Sequence, residues 1–288
     1  MHSLRQALTE AEKRNVAIGH FNTSDLTALR AIVDAARELK LPVLVGVSEG
    51  EREFIGTRTA AAIVRSLRDE SPFPIFLNAD HTHSLEKVKE VAEAGYDEVI
   101  FDASKLPLEE NLKQSKRAVE IAKSIRPEIL VEGEIGYIGS SSAILEKRPE
   151  ESLHMTDPEE ARQFAAETGI DVVAPAVGNM HGLLREMVSG QSHKHLDVPR
   201  IGVIKRAVGK FMTLHGGSGT ADHDFVAAIK AGMTIVHVNT ELRLAWRKGV
   251  EEGLRKDPDE VAAYKIMPAA YHSVFEVVKE RLTLFNSN

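Results

Sequence analysis

The chain has no cysteine among its 288 residues. That excludes disulfide frameworks, thiolate nucleophiles and sulfur-ligated metal, so any bound metal must have nitrogen and oxygen ligands. It lacks an excess of basic residues as well: 36 lysines and arginines against 43 acids leave a formal net charge of -7. Nothing in that balance points to nucleic acid or an anionic membrane as a partner. There is no run of about 18 apolar residues to span a bilayer, and Met1-His2-Ser3-Leu4-Arg5-Gln6 lacks the basic-then-apolar order of a signal peptide. A cytoplasmic location is the expectation. No Gly-x-Gly-x-x-Gly follows the first strand-like run, which argues against a dinucleotide-binding sheet.

What is present is an alternation of short β-branched runs with longer amphipathic segments. The runs are roughly Val16 to Phe21, Val43 to Val47, Pro74 to Asn78, Glu98 to Asp102, Ile129 to Glu134, Asp171 to Val177, Phe211 to His215 and Thr234 to Asn239. Between them apolar residues recur at three and four, as with Leu26, Leu29, Val33 and Ala36. Asp157-Pro158-Glu159-Glu160 carries a capping carboxylate, a proline at the first helical position and acids in the first turn. Asp257-Pro258-Asp259-Glu260 repeats the device. Three copies of a helix closing on glycine shortly before a strand, around Gly95, Gly169 and Gly232, support the alternation.

Eight such units predict an α/β fold, a parallel (β/α)₈ barrel. The expected organisation is one barrel domain over residues 1–288, with an extra helical tail from about 257 to 288. One stretch breaks the rhythm. Gly136 to Met155, with Gly139 and three consecutive serines, is longer than a barrel connection needs, and such loops often serve as lids.

Barrel enzymes place their sites at the carboxyl ends of the strands. There the third run hands over to Asn78-Ala79-Asp80-His81-Thr82-His83-Ser84, the fourth ends in Asp102, and the fifth in Glu132 and Glu134. Gly178-Asn179-Met180-His181-Gly182 follows the sixth, and His215-Gly216-Gly217-Ser218-Gly219 the seventh. The eighth ends in His237-Val238-Asn239-Thr240, and the first two give Asn22 and Ser48. His81, His181 and His215 stand on three separate strand ends and suit an open metal site of three nitrogens and a vacant position. Glu132 and Glu134 share one face of their strand, either inward or solvated at the rim. The glycine run after the seventh strand presents backbone N–H groups to an anion, and with Asn239-Thr240 it matches the phosphate site common in barrels.

These motifs, together with His20-Phe21-Asn22, Phe101-Asp102-Ala103-Ser104 and Glu132-Gly133-Glu134-Ile135-Gly136, resemble the class II, metal-dependent fructose-bisphosphate and tagatose-bisphosphate aldolases over nearly the whole chain. The resemblance implies that His81, His181 and His215 bind a catalytic zinc and that Asp80 exchanges a proton with the C4 hydroxyl. Asp102 and Glu134 match a second metal position, for a divalent or monovalent cation. Gly182, Gly216, Gly217, Ser218, Asn239 and Thr240 would cradle the dihydroxyacetone-phosphate end of a phosphorylated ketose, while Asn22 and Ser48 lie near the other half. His237 replaces the asparagine usual in the family, near the triose end. The family is dimeric or larger, so a homodimer or homotetramer is expected.

The match departs in the serine-rich loop, where the usual acid for the C3 proton is missing, with Glu146, Glu150 or Glu151 as substitutes in reach by sequence. Arg281 in the tail is a candidate for the second phosphate across a subunit interface. Two rival readings follow from single features. The His81-Thr82-His83 pattern suggests an amidohydrolase, and the missing loop acid suggests a silent sugar-phosphate sensor.

Overall fold

A computed structural model describes residues 3–70, 73–139, 142–148 and 154–287. All eight expected runs are strands: Ile18–Asn22, Val43–Ser48, Ile75–Thr82, Glu98–Phe101, Leu130–Ile135, Val172–Pro175, Phe211–Leu214 and Ile235–Val238. Each pairs in parallel with its neighbours in chain order, and the first closes the barrel on the eighth. Parallel strands covered by helices are buried on both faces, which is why they read as β-branched runs rather than as apolar-polar alternation.

Inside the barrel, side chains stack in layers. The lowest layer is apolar: Ile18, Leu44, Phe76, Leu130, Val172 and Ile235 form one cluster with Leu4, Leu8 and Ala11. Those three belong to a helix, Leu4–Lys13, that plugs the bottom of the barrel and that the sequence reading does not include. Its signal is short but present: Leu4, Leu8 and Ala11 at spacings of four and three, and Ser3 forming a reciprocal capping box with Gln6.

The next layer up is polar. His20, Asn78, Glu98, Glu132, Thr213 and His237 are each at most 5% exposed. Asn78 donates to Glu98 at 2.7 Å and pairs with the His20 Nε2 at 3.2 Å. The His20 ring fits because its neighbour is Gly46, where an added Cβ would lie 2.1 Å from the ring. Burial drives the Glu98 carboxyl well above its ordinary pKa, so it stays protonated.

Several boundaries differ from expectation. The third strand runs on to Thr82, so most of the stretch read as a loop is strand. Asp257 closes the helix Thr240–Lys256 instead of opening another, and the next helix starts only at Ala263. In the third repeat the helix ends at Lys230 with Ala231 as its cap, and Gly232 at φ 121° makes the turn. The long loop after the fifth strand contains Ile144–Leu145, paired in parallel with Leu183–Leu184. The expected extension is the short helix Ala263–Ile266 followed by Pro268–Phe285. The latter packs against the first strand and against Leu26–Leu39, burying Val274, Val278 and Leu282 completely. Among the described residues no helix is long and apolar enough to cross a membrane.

Leu8 is fully buried in the plug. Leu8→Ala should cost about 2–4 kcal/mol and lower the melting temperature without reducing metal content; a loss below about 0.5 kcal/mol would show that the plug does not support the barrel.

Candidate metal centre and substrate pocket

The third strand carries two successive residues of the site, Asp80 and His81, although strand alternation would send one inward and the other out. The structure resolves the conflict with a bulge. The pairing register with the fourth strand shifts between Ala79 and Thr82, and His81 takes φ 42°, a left-handed conformation that is uncommon for a non-glycine residue. Arg52, 4% exposed, clamps the bulge: its guanidinium donates to the carbonyls of Val47 and Asp80 and to the Thr82 hydroxyl. Thr82 is therefore a brace for its neighbour. Backbone held in a sparsely populated region by surrounding hydrogen bonds is a mark of functional positions.

His81, His181 and His215 converge, with one ligand-type nitrogen from each within 4.8 Å of the others. The outer nitrogen of each ring is taken. His81 Nδ1 donates to Asp102 at 3.0 Å, His181 Nδ1 to the Gly139 carbonyl at 2.7 Å, and His215 Nε2 to Glu132 at 2.5 Å. The remaining nitrogens, His81 Nε2, His181 Nε2 and His215 Nδ1, meet at the centre, where His81 Nε2 pairs with His215 Nδ1 at 3.2 Å. Outer partners of this kind fix the tautomer and aim the lone pair of a metal-binding imidazole. Glu132 thereby leaves the solvated alternative behind: it lies fully buried, accepts from Thr213 at 2.7 Å, and orients His215.

The electrostatics ask for a cation. Asp80, Asp102, Glu132 and Glu134 all surround the imidazoles, and neither Glu134 oxygen nor Asp80 Oδ1 has a hydrogen-bond partner although all are buried. Burial pulls His181 and His215 down to about 3, so both are neutral. Burial would also lower His81, but Asp80, the Asp102 hydrogen bond and Glu134 outweigh it and hold His81 up near 10. The imidazolium of His81 thus supplies a positive charge beside the carboxylates of Asp80 and Asp102. Burial raises Glu134 well above the ordinary carboxyl range. Asp80 and Asp102 go the other way, held below that range against burial, chiefly by the charge on His81 and its hydrogen bond. The donor set, two neutral imidazoles and a third ring that gains its lone pair on losing a proton, beside orphaned carboxylate oxygens, fits a divalent metal, and His81, Asp102 and Glu134 form a second group within ligand distance.

Around this centre the pocket is lined by the expected Asn22, Ser48, Gly182, Gly216, Ser218 and His237, with Asn239 and Thr240 beside them. Asn22 donates to Asp80 at 2.8 Å and fixes that carboxylate. Ser48 caps the helix Glu49–Ile55, and Glu51 closes the capping box. Ser218 accepts from the backbone of Asn239 and Glu241 at the start of the helix Thr240–Lys256, tying the two expected anion loops together. Gly217 does not line the pocket, and its N–H donates to the His237 carbonyl.

His237 faces Asp80 and the three-histidine group. Its Nδ1 lies 3.8 Å from Asp80, its ring stacks on His20 at 3.4 Å and on His215 at 4.2 Å, and its Nε2 is unpartnered. Arg281 donates to Glu241 and Asp222 at 2.8 Å, behind the anion loops. Glu146 points away and pairs with Arg185, while Glu150 and Glu151 lie outside the described residues. Ser142 of the same loop does reach the pocket, accepting from Thr240 and Asn239; Ser140 and Ser141 lie outside the described residues. His83 is half-exposed and bonds to the Asp102 carbonyl. Three lining residues, Glu49, Gly50 and Arg243, lie on helices after the strands and carry no signal at a strand end.

A profile described as fructose-bisphosphate aldolase class-II matches residues 2–288. The chain belongs to the class II fructose-bisphosphate aldolases. It is therefore an enzyme of the carbon–carbon lyase type, in a family that is generally metal-dependent. The fructose-bisphosphate aldolase of Thermus caldophilus is 32% identical over 303 residues, covering 98% of this chain and 97% of that one. That of Geobacillus stearothermophilus is 32% identical over 289 residues, covering 99% and 97%. Among solved structures, the YdjI aldolase of Escherichia coli K12 superposes with a TM-score of 0.83 at 27% identity, covering 98% of this chain and 96% of that one. Family membership removes the amidohydrolase reading, and His83 stands outside the three-histidine group in agreement.

Because His81 is protonated below about 10 while His181 and His215 are already neutral, a metal held by all three rings would displace the His81 proton. Affinity should rise about tenfold per pH unit from pH 6 to 9. Titration calorimetry in buffers of different ionisation enthalpy checks this; an affinity flat in pH, with no proton released, would contradict it.

Proposed function

We propose that this aldolase is zinc-dependent and reversibly cleaves a phosphorylated ketose, fructose 1,6-bisphosphate being the first candidate, into dihydroxyacetone phosphate and an aldehyde. The observation that carries the reading is the three-histidine group with Asp80 beside it, in a pocket whose opposite wall is built from the anion loops. His81, His181 and His215 would hold the metal, which supplies a Lewis acid for the negative charge developing on the substrate carbonyl oxygen.

The chain's own residues do the rest. Asp80, ionised and held by Asn22, takes the proton from the C4 hydroxyl as the C3–C4 bond breaks, C3 of the released triose then takes up a proton from water, and both transfers reverse in the aldol direction. Gly182, Gly216, Ser218, Asn239 and Thr240 bind the C1 phosphate and so place C3 and C4 against Asp80. His237, neutral and with Nε2 free, offers a hydrogen bond to the triose half. Arg243 is the one arginine or lysine among the described lining residues and is the candidate for the second phosphate; its partner Glu51 lies 2.8 Å away. Asp102 and Glu134 suit a second cation position, and the family's dimeric or larger assembly and cytoplasmic location are the expectation for this chain.

The test is a cleavage assay across fructose-, tagatose- and sedoheptulose-bisphosphates and their monophosphates. A chelator should abolish turnover and zinc restore it, while Asp80→Ala should lose about 10²–10⁴-fold in kcat with metal binding retained. Activity that survives the chelator, or full turnover in Asp80→Ala, would contradict the mechanism. Tight binding of a bisphosphate without turnover at saturating zinc would instead favour a sugar-phosphate sensor.

A further inference from the structure

Lys194 is 2% exposed, and its ammonium group ends inside the protein wall behind the anion loops. Four main-chain carbonyls surround Nζ: Met180 and Gly182 at 2.7 Å, Gly216 at 3.0 Å and Ser218 at 2.6 Å. Two come from the loop after the sixth strand and two from the loop after the seventh. An ammonium has three N–H bonds, so four close oxygens do not amount to ordinary one-to-one hydrogen bonding. The arrangement is that of a monovalent-cation site, in which inward-turned carbonyls replace a hydration shell.

The side chain reaches this point from a backbone that is itself stitched to the same loop. Lys194 N–H donates to the Gly219 carbonyl at 2.8 Å, and its own carbonyl accepts from Ala221 at 3.2 Å. The two loops touch with no room for a side chain between them: a Cβ on Gly216 would lie 2.2 Å from the Met180 oxygen. Four carbonyl dipoles turned toward one point repel each other and are shielded from water, so some cation must sit among them. Burial, with Arg148 nearby and Glu241 as the only opposing charge, lowers the lysine to about 7. The four acceptors oppose deprotonation, since the lone pair of a neutral amine would face a carbonyl oxygen.

We propose that the Lys194 ammonium is a tethered cation: it fills a four-carbonyl site of potassium or ammonium size, locks the loops after the sixth and seventh strands together, and places a fixed positive charge behind the anion pocket. Gly182, Gly216 and Ser218, three of its four partners, line that pocket, and His181 and His215 stand next to partners on the same loops. Lys194 is thus a positioning residue that makes phosphate binding independent of dissolved monovalent cations. The phosphate role of these loops rests on the function proposed above, so the test reads binding and stability and involves no turnover.

The full chain, Lys194→Ala and Lys194→Met are compared in potassium, ammonium and tetramethylammonium chloride at equal ionic strength. The readouts are melting temperature and calorimetric Kd for inorganic phosphate. The wild type should give the same values in all three salts. Lys194→Ala should bind phosphate about tenfold more weakly and melt about 5 °C lower in tetramethylammonium, and potassium or ammonium should restore both. Lys194→Met, which fills the space without a charge, should lose phosphate affinity in every salt.

The proposal is overturned if wild-type phosphate binding needs potassium or ammonium, or if Lys194→Met matches the wild type. A Lys194→Ala variant that responds equally to all three cations, or folds in none of them, also counts against it. Folding of that variant only in potassium or ammonium supports it. Should phosphate fail to bind even the wild type while the salt-specific melting shifts appear, the cation site stands and the phosphate role of the loops falls.

Discussion

Everything in the upper half of this barrel depends on burying carboxylates around three imidazoles. Asp80, Asp102, Glu132 and Glu134 are too close together to be ionised in a dry interior without compensating positive charge. The fold answers in two ways. Glu132 and Glu134 are pushed toward the neutral form by burial, while Asp80 and Asp102 stay ionised against the charge on His81. A metal among the three histidines would take over the role of the His81 proton, which is why the centre is organised before any ion arrives.

That organisation is layered. An apolar plug at the bottom excludes water, and a polar middle layer built on His20, Asn78 and Glu98 supports the site from below. The bulge at His81, clamped by Arg52, then turns two consecutive side chains to the same centre. On the opposite side the Lys194 ammonium joins the loops that carry His181 and His215. Two buried cations, Arg52 and Lys194, thus act on the ligand-bearing segments without touching the ligand rings.

The eight strands and the three histidines were legible in the sequence, because both are carried by residue type at strand ends. Periodicity locates the strands, and an imidazole after a buried run is conspicuous. What was hidden depends on contacts between distant segments. No local pattern marks Arg52 as the clamp of residues 80 and 82, and Lys194 sits in Ser192-His193-Lys194-His195, a polar stretch that reads as solvated. The amino-terminal helix was missed because one and a half apolar turns give a weak signal. Asp157-Pro158 and Asp257-Pro258 are the same dipeptide with opposite outcomes, a helix start in one case and a helix end in the other; the chain around them decides. Glu132 could be placed on a face but not given a role until His215 was seen 2.5 Å away.

The central claim is that His81, His181 and His215 together hold one divalent metal through nitrogen. X-ray absorption at the zinc edge of the stoichiometrically loaded protein tests it most directly. The account predicts three imidazole nitrogens at about 2.0–2.1 Å with oxygen completing the shell, falling to two nitrogens in His181→Ala. A shell of oxygens alone, or one unchanged by that substitution, would contradict it.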